Sequence, residues 1–278
     1  TILMPLRTVQ RRITGKPAFP VASLPENFDE GRAIAMIEAG VAPLMGLETA
    51  LGALKAAMTP AGAPGWRPLN AIAPRETRML DEAEGKRLLQ AAGVAIPKGV
   101  LGRTLDEVRQ KADGLRPPLA LKGLGFAHKT EAGAVRLGLA TLDGQAEMPG
   151  AQGYLAEEMV TGPVAEILLG LRRDPVYGVT LTLGLGGVTA EVLADTVTLV
   201  LPAGREDILA AMRGLRLWPL LDGYRGRARA DMEAVADIAV GLGALMTARP
   251  ELEEIEINPI LVRETGAVAV DALIREAF

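Results

Sequence analysis

Hydrophobic and polar positions follow two different periods along the chain, and the change of period divides it. In the first 58 residues the short apolar runs "FPVASL" and "VAPLMG" predict strands. The amphipathic stretches "NFDEGRAIAMIEAG" and "LETALGALKAAM" predict helices, the first starting near Asn27 and stopped by Gly40. Strand alternating with helix predicts a parallel sheet. Two such units enclose only a thin core, so residues 1–58 read as the closing units of a larger doubly wound domain. Thr1 in place of methionine fits a truncated or processed start. The proline- and glycine-rich "TPAGAPGWRPLNAIAP", residues 59–74, lacks an apolar period and reads as a linker.

Residues 75–278 carry a different pattern. A helix is predicted from about Arg78 to Ala92, a strand near Gly99–Leu101, a helix over "TLDEVRQKADGL" with Thr104 as N-cap, and a strand over "PLALKGL". "VRLGLATL", "YLAEEMV", "AEILLGLRRD" and "YGVTLTLGLGGVTAEVLADTVTLVLP" then read as short apolar strands with no helices between them, which predicts an antiparallel sheet. Ile208, Leu209, Met212 and Leu215 share one helix face, as do Val235, Ile238, Ala239, Leu242 and Leu245. "EIEINPILVRETGAVAVDALI" closes the chain as a hairpin turning at Thr265–Gly266. The fold class on periodicity is therefore α/β followed by α+β.

Composition narrows the functions. Of 278 residues 49% are hydrophobic, enough for a substantial core, while a net charge of −4 with interspersed signs gives no pull toward nucleic acid or an anionic membrane. With 3% aromatic residues a base-stacking platform is not expected. Cysteine is absent, which removes disulfides, thiolate metal sites and a cysteine nucleophile. Neither a membrane-spanning run nor a secretory signal is legible, so a cytoplasmic protein without membrane or nucleic-acid partners is expected.

Candidate chemistry sits in four places. Along "EIEIN", Ile255 and Ile257 alternate with Glu254, Glu256 and Asn258. A two-residue loop at Thr265–Gly266 would set Ile260 opposite Asp271 and bring Asp271 to the face of Asn258 and Glu256, an oxygen-donor set suited to Mg²⁺; a three-residue loop would remove the argument, and a solvent-facing polar edge reads the same. Lys122 ends the apolar run "PLALK", where its ammonium could reach past the strand to a phosphate or simply extend into solvent. "GLGG", residues 184–187, could free the N–H groups of Gly186 and Gly187 for an anion or form a plain turn. His128 in "GFAHKTEAG" is the single histidine of the chain; its neutral imidazole can attack phosphorus, and Lys129 beside it favours the neutral form.

Taken in order, "LALKGLGFAHKTEAGAVRLGL", "EEMVTGPVAEILLGLRRDPVYG", "LTLGLGGVTAEVLADTV", "LDGYRG" and "EIEINPILVRETGAVAVDA" closely resemble the nucleotide-binding half of the NDP-forming (ADP-forming) acyl-CoA synthetases, which are related to succinyl-CoA synthetase. The resemblance covers nearly all of residues 75–278 and implies a C-terminal ATP-grasp fold. It also makes residues 1–58 similar to the tail of a flavodoxin-like CoA-ligase domain. The implied reaction is ATP, a carboxylic acid and CoA going reversibly to acyl-CoA, ADP and phosphate through phosphohistidine.

By resemblance His128 is the catalytic phosphate carrier and Lys122 the lysine on the nucleotide phosphates. Asn258 and Asp271, with Glu256 beside them, match the Mg²⁺ ligands. Glu157 and Met159 fall where adenine meets the hinge, Glu166 near the ribose, and Arg225 at an anion contact, with Gly186 and Gly187 in the glycine run. The resemblance implies ATP or ADP and Mg²⁺ as cofactors, and CoA bound by a partner CoA-ligase domain or subunit that carries a second catalytic histidine; a homo-oligomer is compatible with it. Two departures stand out. Residues 143–153 are shorter than the helical segment usual in the family, and neither the CoA-binding domain nor the first histidine is found in this sequence. A nucleotide-sensing module without catalysis and an ATP-grasp ligase that forms amide bonds through an acyl phosphate are the competing readings.

Overall fold

The computed structural model describes residues 19–27, 29–58, 67, 69, 75–126, 133–187 and 194–278. The chain divides into two compact units, Thr1–Trp66 and Arg67–Phe278, and the division falls inside the stretch read as a linker.

In the first unit β1 (Val21–Ala22) and β2 (Leu44–Met45) pair in parallel, with Val21 opposite Leu44. They are joined through α1 (Glu30–Glu38), and α2 (Leu47–Met58) follows. The predicted alternation is present, but α1 starts later than expected. Asn27 lies in a short 3-10 turn, and the carboxylate of Asp29 is the group that accepts the N–H of Arg32 at 2.9 Å, satisfying an orphan donor of the first turn.

The second unit holds two antiparallel sheets. The larger is built from β3 (Thr77–Met79), β8 (Ala165–Asp174), β9 (Gly178–Leu185), β10 (Thr196–Val200), β11 (Leu252–Val262), β12 (Ala267–Ala269) and β13 (Ala272–Ala277), in the order β10-β9-β8-β11-β13-β3 with β12 also on β11. The smaller has β4 (Gly99–Gly102), β5 (Leu119–Leu124), β6 (Val135–Leu139) and β7 (Gly153–Glu158) in the order β4-β7-β5-β6. Among the helices are α3 (Glu82–Ala91), α4 (Leu105–Lys111), α5 (Arg205–Arg213), α6 (Trp218–Leu221) and α7 (Met232–Ala248).

Each sheet has its own core. Ile255, Ile257, Leu169, Leu171 and Leu181 of the large sheet pack with Ile208 of α5 and Val235 and Leu242 of α7. Leu121 and Ala156 of the small sheet pack with Leu105 and Val108 of α4. The predicted helix faces on α5 and α7 are the buried ones, because an apolar stripe at helical spacing has only the sheet to cover it.

Two expectations are corrected. Residues 77–79 form a strand on β13, not the start of a helix; Asp81 caps α3 instead, in a capping box with Glu84. The closing hairpin turns through four residues, 263–266, with Val262 opposite Ala267. Asp231, the N-cap of α7, sets this turn: its carboxylate accepts N–H groups from Ala234 at 3.0 Å and from Gly266 at 2.7 Å.

The short 140–152 connection is packed without a helix. Leu142 and Met148 enter the small core, Arg109 donates to the Leu142 carbonyl at 3.2 Å, and Tyr154 Oη accepts the Met148 N–H at 2.9 Å. Among the described residues no helix is long and apolar enough to cross a membrane.

Candidate functional site

Where the two sheets of the second unit meet, four charged side chains are buried together. Glu82 and Lys86 come from the first turns of α3, Lys122 from β5 and Glu157 from β7, and all four are more than nine-tenths buried. Lys122 Nζ donates to Glu82 Oε1 at 2.7 Å and lies 3.1 Å from Glu157 Oε2. Lys86 Nζ is 3.0 Å from the same Glu82 oxygen and donates to Glu157 Oε1. Two carboxylates and two ammoniums thus close a neutral ring, the arrangement that burying charge requires.

Lys122 is the fourth residue of a six-residue strand and does not end it, contrary to the sequence expectation. Its ammonium crosses to the large sheet's side and donates to the Val270 carbonyl, between β12 and β13, at 2.7 Å. Burial alone would lower its pKa, but the pull of Glu82, Glu157 and Asp271 outweighs that and raises it. For Lys86 burial and repulsion from Lys122 win over Glu157 and Glu82, so its pKa is lowered.

The polar end of the closing hairpin lies beside this ring. Ile257 pairs with Ala272 and Ile260 with Ala269, so the same register sets Asn258 opposite Asp271. The expected pairing of Ile260 with Asp271 is therefore shifted by two residues. Ile257 and Ile260, an odd and an even position, are both fully buried, which means the strand reverses its faces across Asn258 and Pro259. This is also where the pairing of β11 with β8 slips. Asn258 is exposed, and Glu256 is half-buried on the polar side.

Burial, then the charges of Glu254 and Asp271, raise the pKa of Glu256. A cation would relieve the cost of ionising the half-buried Glu256, and Asp271, Asn258 and Glu256 all offer oxygen, the donor type Mg²⁺ takes. Among the described residues no group of three or more His, Cys, Asp or Glu side chains is placed to hold a metal ion.

The glycine run adjoins Asn258. Gly187 donates to Asn258 Oδ1 at 3.4 Å, and a Cβ on Gly187, at φ +70°, would stand 2.1 Å from Glu166 Oε2. The Gly186 N–H bonds the Glu166 carbonyl at 2.7 Å, so it serves the β8–β9 pairing and is not freed for an anion. Met159, just past β7, accepts the Gly138 N–H on its sulfur at 3.0 Å. Arg225 is not drawn into this group by its described contact: it is exposed, at φ 54°, with its guanidinium over the Tyr224 ring. His128 lies outside the described residues.

The structure thus joins Lys122, Glu157, Asp271, Asn258, Glu256, Gly187 and Glu166 in one neighbourhood, and adds Glu82 and Lys86, which the sequence reading missed. Their signal was present: residues 82, 85, 86 and 89 are the buried stripe of α3, and two of the four are charged.

Residues 71–275 match the family of ATP-grasp domains. The chain belongs to the ATP-grasp family. Within it, the chain falls among the NDP-forming acyl-CoA synthetases. It is 33% identical over 212 residues to the beta subunit of the ADP-forming acetate–CoA ligase I of Pyrococcus furiosus, covering 71% of this chain and 91% of that one. It is 31% identical over 204 residues to the ADP-forming acetate–CoA ligase I of Archaeoglobus fulgidus, covering 68% of this chain and 30% of that one. It thus spans nearly all of one relative and less than a third of the other.

Among solved structures, the dinucleotide-forming acetyl-coenzyme A synthetase 1 of Ca. Korarchaeum cryptofilum matches with a TM-score of 0.62 and 27% identity, covering 70% of this chain and 91% of that one. That protein was solved with coenzyme A and Mg-AMPPCP, its phosphohistidine segment pointing towards the nucleotide binding site. The apo form of the same synthetase gives a TM-score of 0.63 at 25% identity, over 72% of this chain and 93% of that one. The two-sheet unit described above is accordingly an ATP-grasp fold.

Proposed function

We propose that this chain is the nucleotide-binding, phosphoryl-transferring component of an ADP-forming acyl-CoA synthetase. The observation that carries the reading is the meeting of Lys122 with the Val270–Asp271 segment: a buried cation from one sheet touches the hairpin that presents Asp271 and Asn258 from the other. Phosphoryl transfer needs compensation of spreading negative charge more than covalent chemistry from the protein, and an ammonium next to oxygen donors suits that need.

In this reading Lys122 holds the nucleotide phosphates, and Asp271, Asn258 and Glu256 are the ligands offered to Mg²⁺, which when bound offsets charge on the transferred group. Glu157 and Met159 border the adenine, and Glu166 and Gly187 the ribose and phosphates. A neutral nitrogen of His128 attacks the γ-phosphorus in line. The bond from phosphorus to the β,γ-bridging oxygen breaks, ADP leaves, and an N–P bond remains; the reverse step returns the phosphoryl group to ADP. A CoA-ligase unit with its own histidine exchanges that phosphate with an acyl phosphate and passes the acyl group to CoA. Residues 1–58 are assigned as the end of such a flavodoxin-like domain, residues 59–74 as the linker, and residues 75–278 as the ATP-grasp domain. A cytoplasmic setting suits these substrates.

Titration calorimetry with ATP or ADP and Mg²⁺ should give saturable binding, and incubation with γ-labelled ATP should leave acid-labile phosphate that His128→Ala abolishes. Absence of binding overturns the proposal. Binding without histidine phosphorylation would instead favour a nucleotide-sensing module.

A further inference from the structure

The ring around Lys122 contains more charge than a phosphate-binding lysine needs. Lys122 donates hydrogen bonds to Glu82 Oε1 and to the Val270 carbonyl, each at 2.7 Å, and forms an ion pair with Glu157 Oε2 at 3.1 Å. Turning this ammonium toward a phosphate oxygen draws it away from these partners. Released from a carboxylate, an isolated lysine would leave a buried, uncompensated anion, a costly state.

Lys86 eases that state, because it already contacts both carboxylates: the Glu82 oxygen that Lys122 also holds, and the other oxygen of Glu157. Its place is fixed by α3, whose capping box holds the first turn and whose helical spacing brings positions 82 and 86 to one buried face. Gly85, between them on the same face, packs its open side on Ile274 of β13 and brings the helix close.

We propose that Glu82 and Lys86 are positioning residues that set how readily Lys122 is exchanged between protein and nucleotide: Lys86 compensates one of the two carboxylate charges when Lys122 turns to phosphate, and the remaining negative charge, on Glu82 in particular, draws Lys122 back. The inference rests on the reading of Lys122 as the nucleotide lysine. It gives the two residues opposite signs. Removing the Lys86 charge makes Glu82 and Glu157 hold Lys122 more strongly and weakens nucleotide binding. Removing the Glu82 charge loosens the hold on Lys122 and strengthens it. A purely structural role would weaken binding in both.

The experiment measures Mg·ATP affinity of the full chain by calorimetry in Glu82→Gln, Lys86→Met, Lys86→Arg, the double variant Glu82→Gln/Lys86→Met, and Lys122→Met, with thermal unfolding alongside. We expect Lys86→Met to weaken binding about tenfold and Glu82→Gln to tighten it by a few fold, a size usual for coupled sites. The double variant should return toward wild type, and Lys86→Arg should stay within about threefold of it. Equal affinities in folded Glu82→Gln and Lys86→Met, or shifts of the same sign, overturn the inference. Should Lys86→Met fail to fold, Glu82→Gln decides: tighter binding supports the inference, and unchanged or weaker binding overturns it. Lys122→Met separates the two layers. If it abolishes binding while the other variants change nothing, only the positioning role falls; if it binds as wild type, the reading of Lys122 itself falls.

Discussion

Single residues carry stability here that their exposed relatives would not. Asp195 is buried and accepts N–H groups from Leu217 at 2.9 Å and Arg216 at 3.1 Å. Burial alone would raise its pKa, but these backbone bonds and the Arg216 side chain outweigh it and lower it. A carboxylate with a lowered folded pKa contributes stability above its unfolded pKa and loses it as pH falls through the folded one. Asp195→Asn should therefore cost about 1–3 kcal/mol near neutral pH, and the gap to wild type should narrow below about pH 4. Urea unfolding at several pH values checks this; a pH-independent gap would contradict it. Gly187 is constrained differently. With φ +70° and Glu166 Oε2 at 2.1 Å from a built Cβ, Gly187→Ala forces both the backbone and Glu166 to move. A loss of about 1–3 kcal/mol in thermal unfolding is expected, accompanied by weaker nucleotide binding.

At the scale of elements, the closing hairpin shows how a distant residue overrides local turn chemistry. Thr265–Gly266 is spelled as a two-residue loop, yet the chain turns through residues 263–266 because Asp231 holds Gly266 from the start of α7. Asp231→Ala should cost about 2 kcal/mol, since it removes both a helix cap and the turn bond. It should also lower Mg·nucleotide affinity, because the turn feeds the strands bearing Asn258 and Asp271; unchanged affinity with lowered stability would separate turn from site. Helix α3 gives a second lesson. Its Glu82 and Lys86 have the i,i+4 spacing common to exposed pairs, and the packing of that face against β5, β7 and β13 makes them buried counter-ions.

At the scale of the whole molecule, the second unit is two antiparallel sheets with separate cores, joined at the site by charge and hydrogen bonds as well as by α3. Ile255→Ala empties a fully buried position in the larger core and should cost about 2–5 kcal/mol, read as a lower urea midpoint. Supplying a CoA-ligase subunit from a related organism should be required for acyl-CoA formation from ATP, acid and CoA; acyl-CoA made by this chain unaided would refute the proposed division of labour.

The strands and helices of the second unit were legible in the sequence wherever burial follows a period: β5, β7 and β8 from apolar runs, α5 and α7 from stripes, α4 from its Thr104 cap. Lys122, Asn258, Asp271 and Glu256 were legible as candidates by residue type and by their places along the strands. Tertiary structure alone decided the start of α3, the hairpin register, the face reversal at Asn258–Pro259, and which acceptors hold the Lys122 ammonium. The reason is range: periodicity records which face of one element is covered, while register and charge pairing depend on what a different part of the chain brings to that face.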